Sequence, residues 1–117
     1  MTTQKRFKTL IIDKKNNYNI YFSGFRKHKF TFDMEPSILK LSENELNDTD
    51  VFFVVVYEPK DIIQIVKLAP ISKSIIIGTV NKRLFSSFKS IQDYPIVDLT
   101  PCVQLRSNLH DALARFY

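Results

Sequence analysis

Asp50-Val-Phe-Phe-Val-Val-Val-Tyr57, followed at once by Glu58-Pro59, encloses a run of six large apolar residues, 51–56, with no polar position in it. A strand of this composition has no side to turn toward water. It needs cover on both faces, as the central strand of a parallel sheet between helical layers has. A half-exposed antiparallel strand would alternate polar and apolar residues instead. A helix is disfavoured because the run is short, β-branched and aromatic, and because Pro59 closes it.

Working outward, residues 7–13 bunch Leu10, Ile11 and Ile12 ahead of Asp13, the pattern of a buried first strand whose carboxyl end opens into a loop. Between 14 and 29, Tyr18, Phe22 and Phe25 have helical spacing, but Asn16-Asn17 and Gly24 weaken it, so a short or irregular helix is expected. Phe30-Thr-Phe-Asp-Met34 alternates at period two and reads as an edge or near-edge strand. Pro36 suits the first turn of a helix carrying Ile38, Leu39, Leu41 and Leu46. After Pro59, residues 60–69 put Ile62, Ile65, Val66 and Ala69 on one packed helical face, and Pro70 ends it. Residues 74–79 form the fourth strand, 82–91 a helix with Leu84, Phe85, Phe88 and Ile91 at helical spacing, and 94–98 a brief fifth strand. Thr100-Pro101 opens a terminal helix with Val103, Leu105, Leu109, Leu113 and Phe116.

Five strands alternating with helices through short connections give parallel neighbours and right-handed crossovers. The expected fold is α/β, a doubly wound (βα)5 parallel sheet in the order 2-1-3-4-5 that this class of sheet takes. At 117 residues the chain is read as a single domain, residues 1–117. Apolar content of 44% and charged content of 25% are those of a globular protein, and no run approaches the roughly 18 residues of a membrane span. The polar start, Met1 to Arg6, has no small-residue cleavage site, so the expected location is the cytoplasm. Cys102 is a lone cysteine and is expected to be an inert buried thiol. His28 and His110 lack the company of metal ligands, which argues against zinc. With only Gly24 and Gly78, neither a P-loop nor a dinucleotide fingerprint can be assembled, and no cofactor is expected.

The net charge is +5, and Lys5, Arg6, Lys8, Lys14, Lys15, Arg26, Lys27 and Lys29 crowd the first quarter. Such a bias is either a solvated surface or a nucleic-acid site, and it carries the alternative reading of a small basic nucleic-acid-binding protein.

In a doubly wound sheet, ligands bind at the carboxyl ends of the strands beside the switch point of the first and third strands. This puts Asp13, Lys14, the Val55-Val56-Tyr57 end, Thr79 and Asp98 on one rim. An acid after strand one, a proline just past strand three and a threonine after strand four, over a five-fold α/β chain of this length, resemble the receiver domain of two-component response regulators along almost the whole sequence. The resemblance implies a signalling role, and the rim departs from it in informative ways. Receivers hold Mg²⁺ with an acidic pair after strand one, whereas Asp13 is followed by Lys14 and Lys15. Their phosphoacceptor aspartate lies four residues before the proline, which here is Val55. Thr79 matches the switch hydroxyl, and the lysine after strand five is replaced by Val97 or Asp98. Without nucleophile, second metal acid and lysine, the rim is that of a pseudo-receiver, with no metal and no catalytic residue. Asp13 is then either a turn or cap residue or the ion-pair partner of a lysine, and Thr79 either a strand-end hydroxyl or a residual switch.

The expected function is that of a non-enzymatic regulatory module acting through a protein partner or self-association. The face formed by the fourth helix, fifth strand and fifth helix of such a fold offers Phe85, Phe88, Tyr94, Arg106 and Arg115, and aromatics with arginine are what interface centres favour.

Overall fold

The computed structural model describes residues 7–22, 30–71, 74–80, 82–89, 94–100 and 105–114. Strands β1 (Phe7–Ile12), β2 (Phe30–Glu35), β3 (Val51–Val56), β4 (Ile75–Thr79) and β5 (Ile96–Asp98) form one sheet in the order β2-β1-β3-β4-β5. Every neighbouring pair is parallel. The helices are α1 (Glu43–Asp48), α2 (Ile62–Leu68), α3 (Lys82–Lys89) and α4 (Leu105–Ala114). This is the doubly wound, flavodoxin-like and receiver-like topology.

β3 sits at the centre because its sequence allows no other place: all six residues are buried, none exposing more than 3% of its surface. Its alternate side chains enter two separate cores. Phe52, Val54 and Val56 join Leu10, Ile12, Ile75 and Ile77 against Ile38, Ile65 and Leu68, with Leu84 of α3 packed alongside. Phe53 and Val55 join Ile11, Ile76 and Val97 against Phe22 and, from α4, Leu105, Leu109 and Leu113. Gly78 is required by this second core. A Cβ at that position would lie 2.8 Å from both the Phe53 ring and Leu99 Cδ1, closer than carbon atoms approach.

Two local readings are corrected. The helix expected from Pro36 onward is two pieces, a 3₁₀ turn at Ile38–Lys40 and then α1, separated by Leu41 in extended conformation. Ser42 restarts the helix: its hydroxyl accepts from Glu45 N–H at 3.2 Å, and Glu45 Oε1 accepts from Ser42 N–H at 3.4 Å. In α2 the packed face is Ile62, Ile65 and Leu68, while Val66 is 63% exposed and Ala69 also faces solvent. The preceding turn, Pro59–Asp61, is 3₁₀, and its tighter winding shifts which residues of the following helix point inward. The described part of 14–29 holds a single 3₁₀ turn, Asn19–Tyr21, a short and irregular helix as expected there. Phe22 is fully buried and meets the Phe53 ring edge-on at a centroid distance of 5.0 Å. Lys5, Arg6, Phe25, Arg26, Lys27, Lys29, Pro101, Cys102, Val103 and Phe116 lie outside the described residues.

Candidate functional site at the carboxyl rim of the sheet

Asp13 follows β1 directly, and its own N–H is tied to the Glu35 carbonyl at the end of β2. Its carboxylate is completely buried. The chain beyond wraps around it: Lys15 N–H donates to Oδ1 at 3.1 Å, and Asn17 and Tyr18 N–H donate to Oδ2 at 2.8 and 3.0 Å. Asn16, at φ 52°, supplies the left-handed residue this tight loop needs, a conformation asparagine tolerates better than most residues. A fourth donor comes from the residue just past β3, the Tyr57 hydroxyl to Oδ1. Asp13 is thus the acceptor that organises the β1 loop, and all its partners are neutral.

Tyr57 is positioned by the other side of the rim. Past β3 the chain turns around the Asp61 carboxylate, which accepts from Tyr57 N–H at 2.9 Å and Glu58 N–H at 3.1 Å. The Tyr57 ring then lies over the end of the sheet, 6.3 Å from the Tyr18 ring, with Lys15 Nζ 4.9 Å from its centroid. Burial, and after it the hydrogen bond to Asp13, push the Tyr57 phenol above the usual tyrosine range, so it stays protonated and donating.

Lys14 locks the two loops together. Its ammonium lies 2.9 Å from Glu58 and 3.0 Å from Asp61. The hydrogen bond to Glu58 raises the Lys14 pKa and lowers that of Glu58. Of the two roles open to Asp13, the geometry is that of the turn residue, because Lys14 turns to the β3 loop instead.

The remaining rim residues do not join this network. Val55 is buried in the core under α4. Strand register sets Val56, not Val55, opposite Thr79, and both side chains follow the parity of the other core. Thr79 is fully buried, and its hydroxyl has no hydrogen-bond partner among the described residues. Asp98 accepts from Thr100 N–H at 3.0 Å and from its hydroxyl at 2.6 Å, closing the turn after β5. Among the described residues, no three His, Cys, Asp or Glu side chains converge as metal ligands would.

Of the proposed contact face, Tyr94 is half-buried against the layer containing α3, and Arg106 is exposed and reaches the Ile20 carbonyl at 3.4 Å. These two belong to opposite layers of the sheet. The side chains of Phe85 and Phe88, and Arg115, lie outside the described residues. In the basic quarter, Lys8 pairs with Asp48 at 3.6 Å and Lys14 is engaged as above.

Glu58 and Asp61 are rim members that sequence reasoning passed over, and Tyr57 was placed there without a role. The signal was the acid two residues after Pro59, which suits a carboxylate folding back onto the N–H groups that open a helical turn. Comparison with protein-family models, with curated proteins and with solved structures finds no match.

Proposed function

We propose that the chain is a receiver-like regulatory module that acts by protein contact and carries no phosphoryl-transfer chemistry at the usual site. One observation carries this reading: the crevice at the switch point is filled by the protein's own groups. Asp13, which would be a metal ligand in a receiver, is saturated by three backbone N–H groups and the Tyr57 hydroxyl. Lys14 stands in the sequence where the resemblance calls for a second acid, and its ammonium is bound to Glu58 and Asp61. Neither Val55 nor Val56 offers a nucleophile, and both are packed in apolar cores. A rim satisfied in this way holds its loops in one arrangement, which suits a scaffold whose output is its surface.

The test is incubation with acetyl phosphate or phosphoramidate and Mg²⁺, read by intact mass and by amide chemical shifts in the presence of beryllofluoride. Neither the mass nor the rim shifts are expected to change. A gain of one phosphoryl group, or a beryllofluoride adduct on the rim, would overturn the reading. Val55→Asp is expected to stay unmodified and to lose about 1–3 kcal/mol of stability as an incompletely satisfied buried group.

A further inference from the structure

Among the described residues β5 is the outermost strand on its side of the sheet, and its inner edge pairs with β4. Ile77 N–H donates to the Pro95 carbonyl at 2.9 Å and Leu99 N–H to the Thr79 carbonyl at 2.7 Å. These bonds fix the parity: residues 95, 97 and 99 turn their backbone polar groups toward β4, and Ile96 and Asp98 turn theirs outward. Among the described residues no strand pairs with that outer edge. Beside it lies a concavity of about 290 Å³, with Pro95, Ile96, Val97 and Asp98 on the strand side and Asn108, Asp111 and Ala112 of α4 on the other. Asn108 and Asp111 are exposed and three residues apart, so they stand one above the other on the helix.

Shape and hydrogen bonding both specify an extended chain, which would add to the sheet by strand pairing while alternate side chains turn under α4. Charge selects among such chains. Although the protein is basic overall, the charged residues among the described lining of this groove are both acids, Asp111 and Asp98, the latter already accepting from Thr100. Pairing β5 with the β5 of a second copy would bring these acids against themselves, an arrangement that opposes association. A phosphate backbone is repelled for the same reason.

We infer that the β5–α4 groove binds an extended, lysine- or arginine-bearing segment of a protein partner as a sixth strand, with a basic side chain meeting Asp111. This rests on the protein-contact reading above and names the kind of partner.

The experiment uses the ¹⁵N-labelled protein and four capped hexapeptides: alternating Val and Lys, alternating Val and Glu, and the Val/Lys peptide N-methylated either at every Val or at every Lys amide. The Val/Lys peptide should give saturable shift changes at residues 96–98, 108, 111 and 112 and slow the exchange of the Ile96 and Asp98 amides. Asp111→Lys should weaken it by about three- to tenfold, the scale of losing and reversing one exposed ion pair. The proposal is overturned if the Val/Glu peptide or both N-methylated registers bind as well, if the shifts fall elsewhere, or if no saturable binding occurs at millimolar peptide. Dimerisation without peptide, mapped by the same shifts, would put a second copy in the groove and also overturn it. The phosphodonor test is independent: a failed titration with an unreactive rim removes only the groove, whereas a phosphorylated rim removes the regulatory reading and leaves the titration to be judged separately.

Discussion

Removing the Asp13 carboxylate distinguishes a structural acid from a retained metal ligand, because the two predict opposite signs. In Asp13→Ala, four donors lose their acceptor: the N–H groups of Lys15, Asn17 and Tyr18, and the Tyr57 hydroxyl. Hydrogen bonds to a charged acceptor contribute about 1.5–3 kcal/mol each when the donor is left buried. Lys15 and Asn17 are exposed, so water can take up their N–H groups, while Tyr18 and Tyr57 are only half-exposed and recover less. The expected loss is therefore about 2–4 kcal/mol, a large fraction of the stability of an ordinary domain. Tyr57→Phe removes one donor and should cost about 1–2 kcal/mol, and the double mutant should cost clearly less than the sum of the two. Urea unfolding followed by circular dichroism gives all three values, provided the m-values agree. An acid kept for binding a metal commonly costs stability, so its removal would be neutral or stabilising. A loss below about 0.5 kcal/mol, against the charged-acceptor range, or a rise in stability, would refute the structural assignment of Asp13.

Gly78→Ala should destabilise by about 1–3 kcal/mol through overpacking against Phe53 and Leu99, and a paired Phe53→Leu should recover part of that loss in the same unfolding assay. Because the folded pKa of Tyr57 is raised, its contribution is present below the ordinary tyrosine value, about 10, and disappears as pH rises above it. Absorbance at 295 nm should therefore show one phenol ionising together with alkaline unfolding, and Tyr57→Phe should remove that step; an unchanged titration would contradict the burial of the hydroxyl. With Lys8 and Lys14 already in ion pairs, binding to duplex or single-stranded nucleic acid should be weak and should fall steeply with salt. Sub-micromolar affinity at physiological salt would favour the nucleic-acid reading instead.

The sheet was legible because its evidence is local and redundant: a run such as Val51 to Val56 admits one environment, and Ile75 to Ile77 repeats the message next door. Strand order came from the class of fold and agrees with the observed order. Helix phase was less legible, since one 3₁₀ turn at Pro59–Asp61 was enough to move Val66 outward, and a serine with a glutamate three residues on divided another helix at Ser42. The rim was read as a set of missing groups. What fills it was hidden because the donors to Asp13 are mostly backbone N–H groups, whose convergence goes with a left-handed Asn16, and the remaining donor is a tyrosine 44 residues away in sequence.

The central strand also imposes an order of events on the newly made chain. Val51 to Tyr57 is free of charge and proline and rich in β-formers, the composition of a segment that joins readily to copies of itself. One of its edges can be occupied as soon as it emerges, because β1 precedes it. The other stays open until β4, ending at Thr79, has been made. Asp50 before the run and Glu58-Pro59 after it are the flanking residues that hinder stacking of this segment with its neighbours during that interval. Substituting Glu58 and Pro59 should therefore lower the yield of soluble protein by more than their effect on the folded state accounts for.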